Sequence, residues 1–284
     1  MNMEKIGLLL DTTTMTREDI LTYDFIKWVP LGVTIDDVLY QETDLSTSQM
    51  MGYLHDGKRM LTSQPSPGEF LKKYEEFQSE GYTHVLVIAL SEKISGTYQS
   101  AVIAKNLCEL PITISVHSPK VASFGVALAI PMLAEAIVKK TSFADLEKRY
   151  DSLFANAHVM FTLSNLMHLF RGGRLSRVAA LLGTVLRIKP IVEMIDGKLQ
   201  LTKKERTNIA CYEQFLEVVK QYTEKYKSVF VDIVQLNREE WGNKLSDAIK
   251  EQFPKVIVHQ SHYVSPVFLV HLGDAGFGIA VIGE

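Results

Sequence analysis

The chain is predicted to be an α/β protein of two domains, an N-terminal parallel-sheet α/β domain over residues 1–155 and a C-terminal α+β domain with a mixed sheet over 156–284. Three observations predict this. In the first half, short apolar runs alternate with helix-like stretches, the rhythm of parallel strands joined by helical crossovers. One of these runs, "VLVIAL" at 85–90, is apolar without alternation, as expected of a strand with helices on both faces. After about residue 155 the rhythm changes, and "KPIVEMI", "DG" and "KLQLTKKER" read as a β-hairpin because Asp-Gly is a strong two-residue turn signal.

Each element follows from its own residues. "KIGLLL" (5–10) is the first strand and runs into "DTTT". In "LTSQPSPGEF" (61–70), Ser66, Pro67 and Glu69 stand at the N-cap, N1 and N3 positions of a helix continuing through "LKKYEEF". Thr62 and Ser63 precede that cap and are free to face something other than their own helix. "THVLVIAL" (83–90) leads into "SEKISGTYQSA", and "ITISVHS" (112–118) into "PKVASFG". In the second half, "HVMFTLS" reads as a strand and "NLMHLFRGG" as a helix ended by Gly172 and Gly173, after which "RLSRVAALLGTVLR" precedes the hairpin. A helix at about 208–226, the strand "SVFVDIVQL", a helix at about 239–252 and "KVIVHQS" follow, before the terminal "PVFLVHLGDAGFGIAVIGE".

Hydroxyls therefore gather where the carboxyl ends of the parallel strands should lie, the edge at which open parallel sheets bind ligands. Ser95, Gly96 and Thr97 add a helix start whose free N–H groups favour an anion.

With 284 residues, 46% of them hydrophobic and 22% charged, the chain reads as globular and large enough for two domains. A net charge of -3, with Lys and Arg scattered, provides no electrostatic footprint for nucleic acid. Two cysteines, Cys108 and Cys211, are too few for a disulfide framework or a zinc cage and fit a reducing, cytoplasmic setting. "MNMEKIGLLLDTTT" has too short an apolar run for a signal peptide, and "GVALAIPMLAEAIV" is interrupted by Pro131 and Glu135, so no stable membrane insertion is expected.

Several chemistries lack their residues. "GYLHDGK" (52–58) matches the start of a phosphate-binding P-loop, but Arg59 stands where the magnesium-binding hydroxyl belongs. "GFG" at 276–278 lacks the third glycine of a dinucleotide fingerprint. His259 and His262, three apart in a strand-like segment, face opposite ways, and no metal site is expected. No G-x-S-x-G nucleophile elbow occurs, although Ser95 or Thr62 with His271 remains available as a non-standard nucleophile and base.

The ordered set "TSQPSPGEF", "SGTYQSA", "RGGRLS", "IKPIVEMIDGKL" and "ERT" resembles the DegV family of bacterial fatty-acid-binding proteins, and the likeness runs from "LLLDTTT" through "PLGVTID" to "HLGDAGFG". The resemblance implies a two-domain protein enclosing one long-chain fatty acid, with the carboxylate at the domain junction and the acyl chain in an apolar tunnel. "GVALAIPMLAEAIV" is a candidate wall of that tunnel. It further implies a lipid carrier without a catalytic residue or cofactor of its own, which presents its fatty acid to a separate ATP-dependent fatty acid kinase that makes acyl phosphate for phospholipid synthesis.

Carried over by residue, the resemblance assigns the carboxylate to Thr62, Ser63, Ser95, Gly96 and Thr97, with His271 in the same network and Arg206 of "ERT" near the carboxylate or the junction. Hydroxyl donors satisfy a carboxylate without fully pairing its charge, and an unperturbed imidazole titrates near neutrality. Arg174 matches an exposed kinase-facing arginine, with Arg171 and Arg177 making that patch basic. Three positions depart from the family pattern: Glu92 replaces a hydroxyl, His117 an aspartate, and "GDAG" with Asp274 a Gly-Pro pair. Two alternatives stay open, a Ser/His acyl-ester hydrolase or transferase and a lipid-sensing module without kinase coupling.

Overall fold

The computed structural model describes residues 4–15, 18–175, 188–261 and 263–284. The first part of the chain runs through β1 (Ile6–Asp11), β2 (Ile26–Val29), β3 (Gly32–Ile35), β4 (Val38–Gln41), α1 (Thr47–His55), β5 (Met60–Ser63), α2 (Pro67–Ser79), β6 (His84–Ile88), α3 (Thr97–Leu107), β7 (Thr113–His117), α4 (Phe124–Ala127), α5 (Ile130–Val138) and α6 (Phe143–Ala155). It continues as β8 (Ala157–Leu163), α7 (Met167–Arg171), β9 (Lys189–Ile195), β10 (Lys198–Glu205), α8 (Asn208–Lys225), β11 (Val229–Leu236), α9 (Glu239–Gln252), β12 (Ile257–Ser261), α10 (Pro266–Leu272) and β13 (Gly276–Gly283).

The four strands β2-β1-β6-β7 form a wholly parallel sheet. All six residues of β1 are buried, and they alternate between two cores. Leu9 joins Val85 and Val87 beneath Phe70, Tyr74 and Phe77 of α2 and Ala101 and Ala104 of α3. Leu8 and Leu10 join Leu86 and Ile88 against Leu133, Leu146 and Leu153 of α5 and α6. Burial on both faces is the physical reason for the unbroken apolar run in these strands. The start of α2 forms as its residues predict: Ser66 Oγ accepts from Glu69 N at 3.3 Å, and Glu69 Oε2 accepts from Ser66 N at 2.6 Å.

The second sheet has the order β10-β9-β8-β13-β11-β12 and is mixed, with only β11 and β12 parallel among its described pairs. Its centre is β13, buried along all eight residues between β8 and β11. The β9–β10 turn places Asp196 at φ 48° and Gly197 at φ 77°, the left-handed pair that a two-residue hairpin turn requires. Phe215 of α8 and Leu245 and Ile249 of α9 cover one face, against Val231, Ile233 and Ile279.

A third sheet, β4-β3-β5, is antiparallel and was not foreseen as strands. Its strands have four residues each, and its β3–β4 turn uses Asp36 and Asp37 at φ 45° and 72°, without the glycine that usually marks such a turn. This ribbon ends at Thr62 and Ser63. From the far end of the chain, α10 leaves the second sheet and packs against β3, β5 and α1. Arg177, most of "RLSRVAALLGTVLR" and His262 lie outside the described residues. No helix among the described residues is long and apolar enough to cross a membrane.

Two glycines test how tightly the sheet and helix surfaces differ. A Cβ on Gly278 would fall on the Met160 carbonyl and on Phe161 of the neighbouring strand, whereas one on Gly52 in α1 meets nothing within 4 Å. Gly278→Ala is expected to destabilise by about 2 kcal/mol or more, and Gly52→Ala to stabilise by about 0.5–1 kcal/mol. Denaturant unfolding of the two variants beside the parent measures both, and equal midpoints would contradict the packing described.

Candidate functional site

A cavity of about 250 Å³ lies where the end of β5, the start of α3 and the face of α10 meet β8, β9 and β10. Its polar lining consists of Thr62, Ser63, Gln64, Ser95, Gly96, Ser123, Arg174 and His271, and the rest is apolar, including Leu31, Leu90, Phe124, Phe161, Leu169, Met194, Leu199 and Phe268. A smaller, almost wholly apolar void of about 20 Å³ shares Phe124, Phe161 and Leu272 with it.

Most of the polar residues form one connected rim. Thr62 Oγ1 lies 2.9 Å from His271 Nε2, joining residues 209 positions apart. The Nδ1 side of His271 lies over Gly172, where a Cβ would come within 2.5 Å of Nδ1. The Gly172 carbonyl accepts from Arg174 Nη1 at 2.5 Å, and Arg174 Nε donates to the carbonyl of Ile94 at 3.3 Å. Next along the chain, Ser95 Oγ is 2.9 Å from Thr97 Oγ1 and accepts from Thr97 N at 3.3 Å. Gly96 leaves room for Gln64, whose amide donates to Ser100 Oγ at 3.2 Å and would strike any Cβ at position 96. Gln64 follows Ser63 and Thr62 and closes the rim. Gly172 thus does more than end α7: Gly173, at φ 72°, terminates the helix, while Gly172 makes space for the histidine.

Electrostatically the rim is poor in countercharge. Burial, with Arg174 and His168 nearby, holds His271 down to about 4, so its imidazole is neutral at neutral pH instead of titrating there as an unperturbed histidine would. Its Nδ1 is buried without a hydrogen-bond partner among the described residues. Arg174 is half-buried, and burial lowers its guanidinium from the ordinary arginine value. It is held by carbonyls, with no carboxylate partner among the described residues. The rim thus consists of hydroxyls, an amide, a neutral imidazole and one guanidinium without a carboxylate partner among the described residues.

On the other side of Thr62 and His271 an open cleft of about 460 Å³ is lined by Lys58, Arg59, His168, Arg171 and Arg174, with no Asp or Glu among its described lining residues. It shares Thr62, Arg174 and His271 with the cavity. Arg171 is exposed there. Arg174, expected on the outer surface, instead stands at the throat between cleft and cavity.

Of the residues singled out from the sequence, Thr62, Ser63, Ser95, Gly96, His271 and Arg174 come together. Thr97 is fully buried one step behind, bonded to Ser95, and does not line the cavity. Arg206 is exposed where β10 gives way to α8 and is no part of the lining, because the hairpin carries its end away from the cavity. Glu92 points outward and pairs with Lys93 at 2.8 Å. His117 bonds Ser115 at 2.8 Å and faces Glu147 at 3.5 Å, outside the cavity lining. Asp274 is exposed, and its carbonyl accepts from Asn237 Nδ2 at 2.9 Å, leaving α10 and His271 in place. Residues 125–138, the candidate wall, do not line the cavity, since Val126, Leu128, Ile130 and Leu133 are spent in the main core.

Sequence reading assigned no role to Gln64, nor to the apolar wall from the second half, Phe161, Leu169, Met194 and Leu199. Nothing local distinguishes those apolar side chains from core. Ser123 carried a local signal in the hydroxyl-bearing "ASFG" but no hint of its backbone, which takes φ 52° and ψ −124° at the entry to α4.

The family model described as "Uncharacterised protein, DegV family" matches residues 5–284. A DegV domain-containing protein of Halalkalibacterium halodurans is 32% identical over 98% of both chains, and one of Staphylococcus aureus 27% identical over 99% of both. Among solved structures, DegV of Bacillus subtilis, described as a fatty acid binding protein, is 26% identical with a TM-score of 0.86, over 99% of this chain and 100% of that one. A DegV family protein of Thermus thermophilus, described by its fatty acid binding, is 25% identical with a TM-score of 0.89, over 99% and 100%. A stearic acid-binding protein of Eubacterium ventriosum is 25% identical with a TM-score of 0.86, over 99% and 98%.

The neutral histidine has a consequence for stability. In the unfolded chain it protonates below about 6.5, in the folded chain only below about 4, so between these values the unfolded state binds more protons. Its contribution is complete above pH 6.5 and is lost as pH falls toward 4. The stability difference between the parent and His271→Gln, measured by thermal or denaturant unfolding, should therefore move against the parent as pH drops from 7 to 4.5. A difference independent of pH would show that His271 is not held neutral by burial.

Proposed function

The chain belongs to the DegV family, and on that premise we propose that it binds one long-chain fatty acid, with the carboxylate at the polar rim and the acyl chain along the apolar lining, and presents it to a separate fatty acid kinase. The observation that carries this reading is the pairing of two spaces at one throat. An apolar cavity and an open basic cleft share Thr62, Arg174 and His271.

Thr62, Ser63 and Ser95 are the hydroxyl donors for the carboxylate, and the backbone N–H of Gly96 lies beside them at the start of α3. His271, neutral and bonded to Thr62, adds no full charge. Arg174 gains in the ligand the anionic partner it lacks among the described residues. A carboxylate held mainly by neutral donors keeps electron density on its oxygens, which a phosphoryl acceptor requires. Arg206, exposed and away from the lining, is left out of the set. Each buried methylene contributes about 0.8 kcal/mol before the losses of association, which is enough for a long chain to remain bound through purification.

The basic cleft is the face from which a phosphoryl donor approaches. Arg171 there favours an anionic partner surface or a nucleotide, and Lys58 and Arg59, which pair with Asp36 and Asp37, line the same cleft. The kinase, its use of ATP, the cytoplasmic setting and the supply of acyl phosphate to phospholipid synthesis belong to this proposal.

One contact favours a second reading, an acyl-ester hydrolase or transferase, since Thr62 and His271 lie at nucleophile–base distance. Against it, His271 Nδ1 has no orienting carboxylate among the described residues, and Ser95 bonds Thr97 instead of the histidine. Turnover of acyl thioesters abolished by His271→Ala would favour this second reading.

Denaturing extraction and mass spectrometry of the purified protein are expected to yield close to one fatty acid per chain. Thr62→Ala combined with Ser95→Ala removes two hydrogen bonds to a charged group, each worth about 1.5–3 kcal/mol. The double variant should lose bound lipid or its phosphorylation by tenfold or more. Arg174→Ala should lower phosphorylation by a cognate kinase, whereas an empty parent protein that also ignores added palmitate and oleate would overturn the proposal.

A further inference from the structure

The strongest unexplained feature lies behind the cavity. Glu42 is 1% exposed, and no cation pairs with it among the described residues. Three donors from distant parts of the chain converge on its carboxyl group. The Thr12 hydroxyl donates to Oε1, while the Ser265 hydroxyl and, at 3.4 Å, the Val267 N–H donate to Oε2. Thr12 Oγ1 in turn accepts from Leu31 N at 3.1 Å. The second buried carboxyl group nearby, Asp11, is bound separately by Leu90 N at 2.6 Å and by Thr13.

Burying a carboxyl group without a cation is unfavourable, and an apolar residue would fill the space at lower cost. Burial and the neighbouring Asp11 push Glu42 up to about 7 in spite of its three donors. What the arrangement gains is connection. Leu31 and Val267 both line the cavity, one from the loop after β2 and one from α10. Ser265 is the cap residue of α10, and His271 stands on the last turn of that same helix. Glu42 therefore holds the start of the helix whose other end meets Thr62.

We infer that Glu42 is a positioning residue for the lipid site: by tying Ser265 and Val267 to Thr12 it sets α10 against the β3–β5 ribbon and so places His271 against Thr62. It does not touch the ligand. Its effect on lipid binding rests on the fatty-acid reading above, whereas its effect on His271 does not.

The experiment uses the full chain, freed of lipid, with the imidazole titrations followed by NMR in the parent, Glu42→Ala and Glu42→Gln. In the parent His271 should titrate near 4. In Glu42→Ala the helix start is released, and the His271 midpoint should rise by about one pH unit or more toward the solvated value. Glu42→Gln keeps an acceptor oxygen and should restore at least half of that shift. The backbone amide resonances of α8 and α9, which pack on the second sheet, should not move. Release of bound palmitate from Glu42→Ala should be about tenfold faster.

An unmoved His271 in a folded Glu42→Ala, or α8 and α9 shifting along with it, would overturn the inference. Should Glu42→Ala fail to fold, Ser265→Ala removes a single donor and should move His271 in the same direction, and no movement there would overturn it equally. A chain that binds no palmitate but whose His271 shifts as stated would refute the fatty-acid reading and leave the positioning role standing.

Discussion

Everything in the site depends on where α10 sits. The helix has seven residues, too few to be stable alone, and it takes its place from contacts at both ends. At the start, Ser265 and Val267 bond the buried carboxyl group of Glu42, and at the end His271 meets Thr62. Val267, Phe268 and Leu272 of the same helix supply apolar wall. Because α10 belongs by sequence to the second sheet and by packing to the β3–β5 ribbon, the cavity forms only where the two parts of the chain close on each other.

The second constraint is the scarcity of charge around the rim. Deep burial makes an ionised group expensive unless something compensates it, so the histidine gives up its proton and Arg174 is held by carbonyls. The other positive groups, Lys58, Arg59 and Arg171, stand outside in the open cleft, where Lys58 pairs with Asp36 at 2.7 Å and Arg59 with Asp37 at 3.7 Å. The lining grades from apolar inside to polar at the throat, where Arg174 stands, with Lys58, Arg59 and Arg171 in the cleft outside. Small residues allow the close approaches at the throat: Gly96 leaves room for Gln64 at the start of α3, and Gly172 for His271 at the end of α7.

Much of this could be read from the residues. The parallel strands were legible because helices cover both faces and leave no polar alternation, and α2 was legible because Ser66, Pro67 and Glu69 all act within one turn. The β9–β10 hairpin was legible from Asp196 and Gly197. The ribbon β3–β4–β5 was not, because four-residue strands carry too little pattern and its turn uses two aspartates. Arg206 looked eligible for the site because an arginine near a motif has no address of its own, and the hairpin carries it away. Phe161, Leu169 and Met194 were invisible as cavity wall, since lining a cavity and filling a core ask for the same side chains.

The sequence by itself determined the parallel strands, the α2 cap, the β9–β10 turn and the family, for these rest on interactions within a few residues or on an ordered set of motifs. Only the tertiary structure decided that Thr62 meets His271 across 209 positions, that Glu42 reaches Ser265 across 223, and that Arg174 stands at the throat. The reason is physical: a hydroxyl, an imidazole or a carboxyl group has its partner, its burial and therefore its charge assigned by segments far away in the chain, and none of those is written in its neighbours.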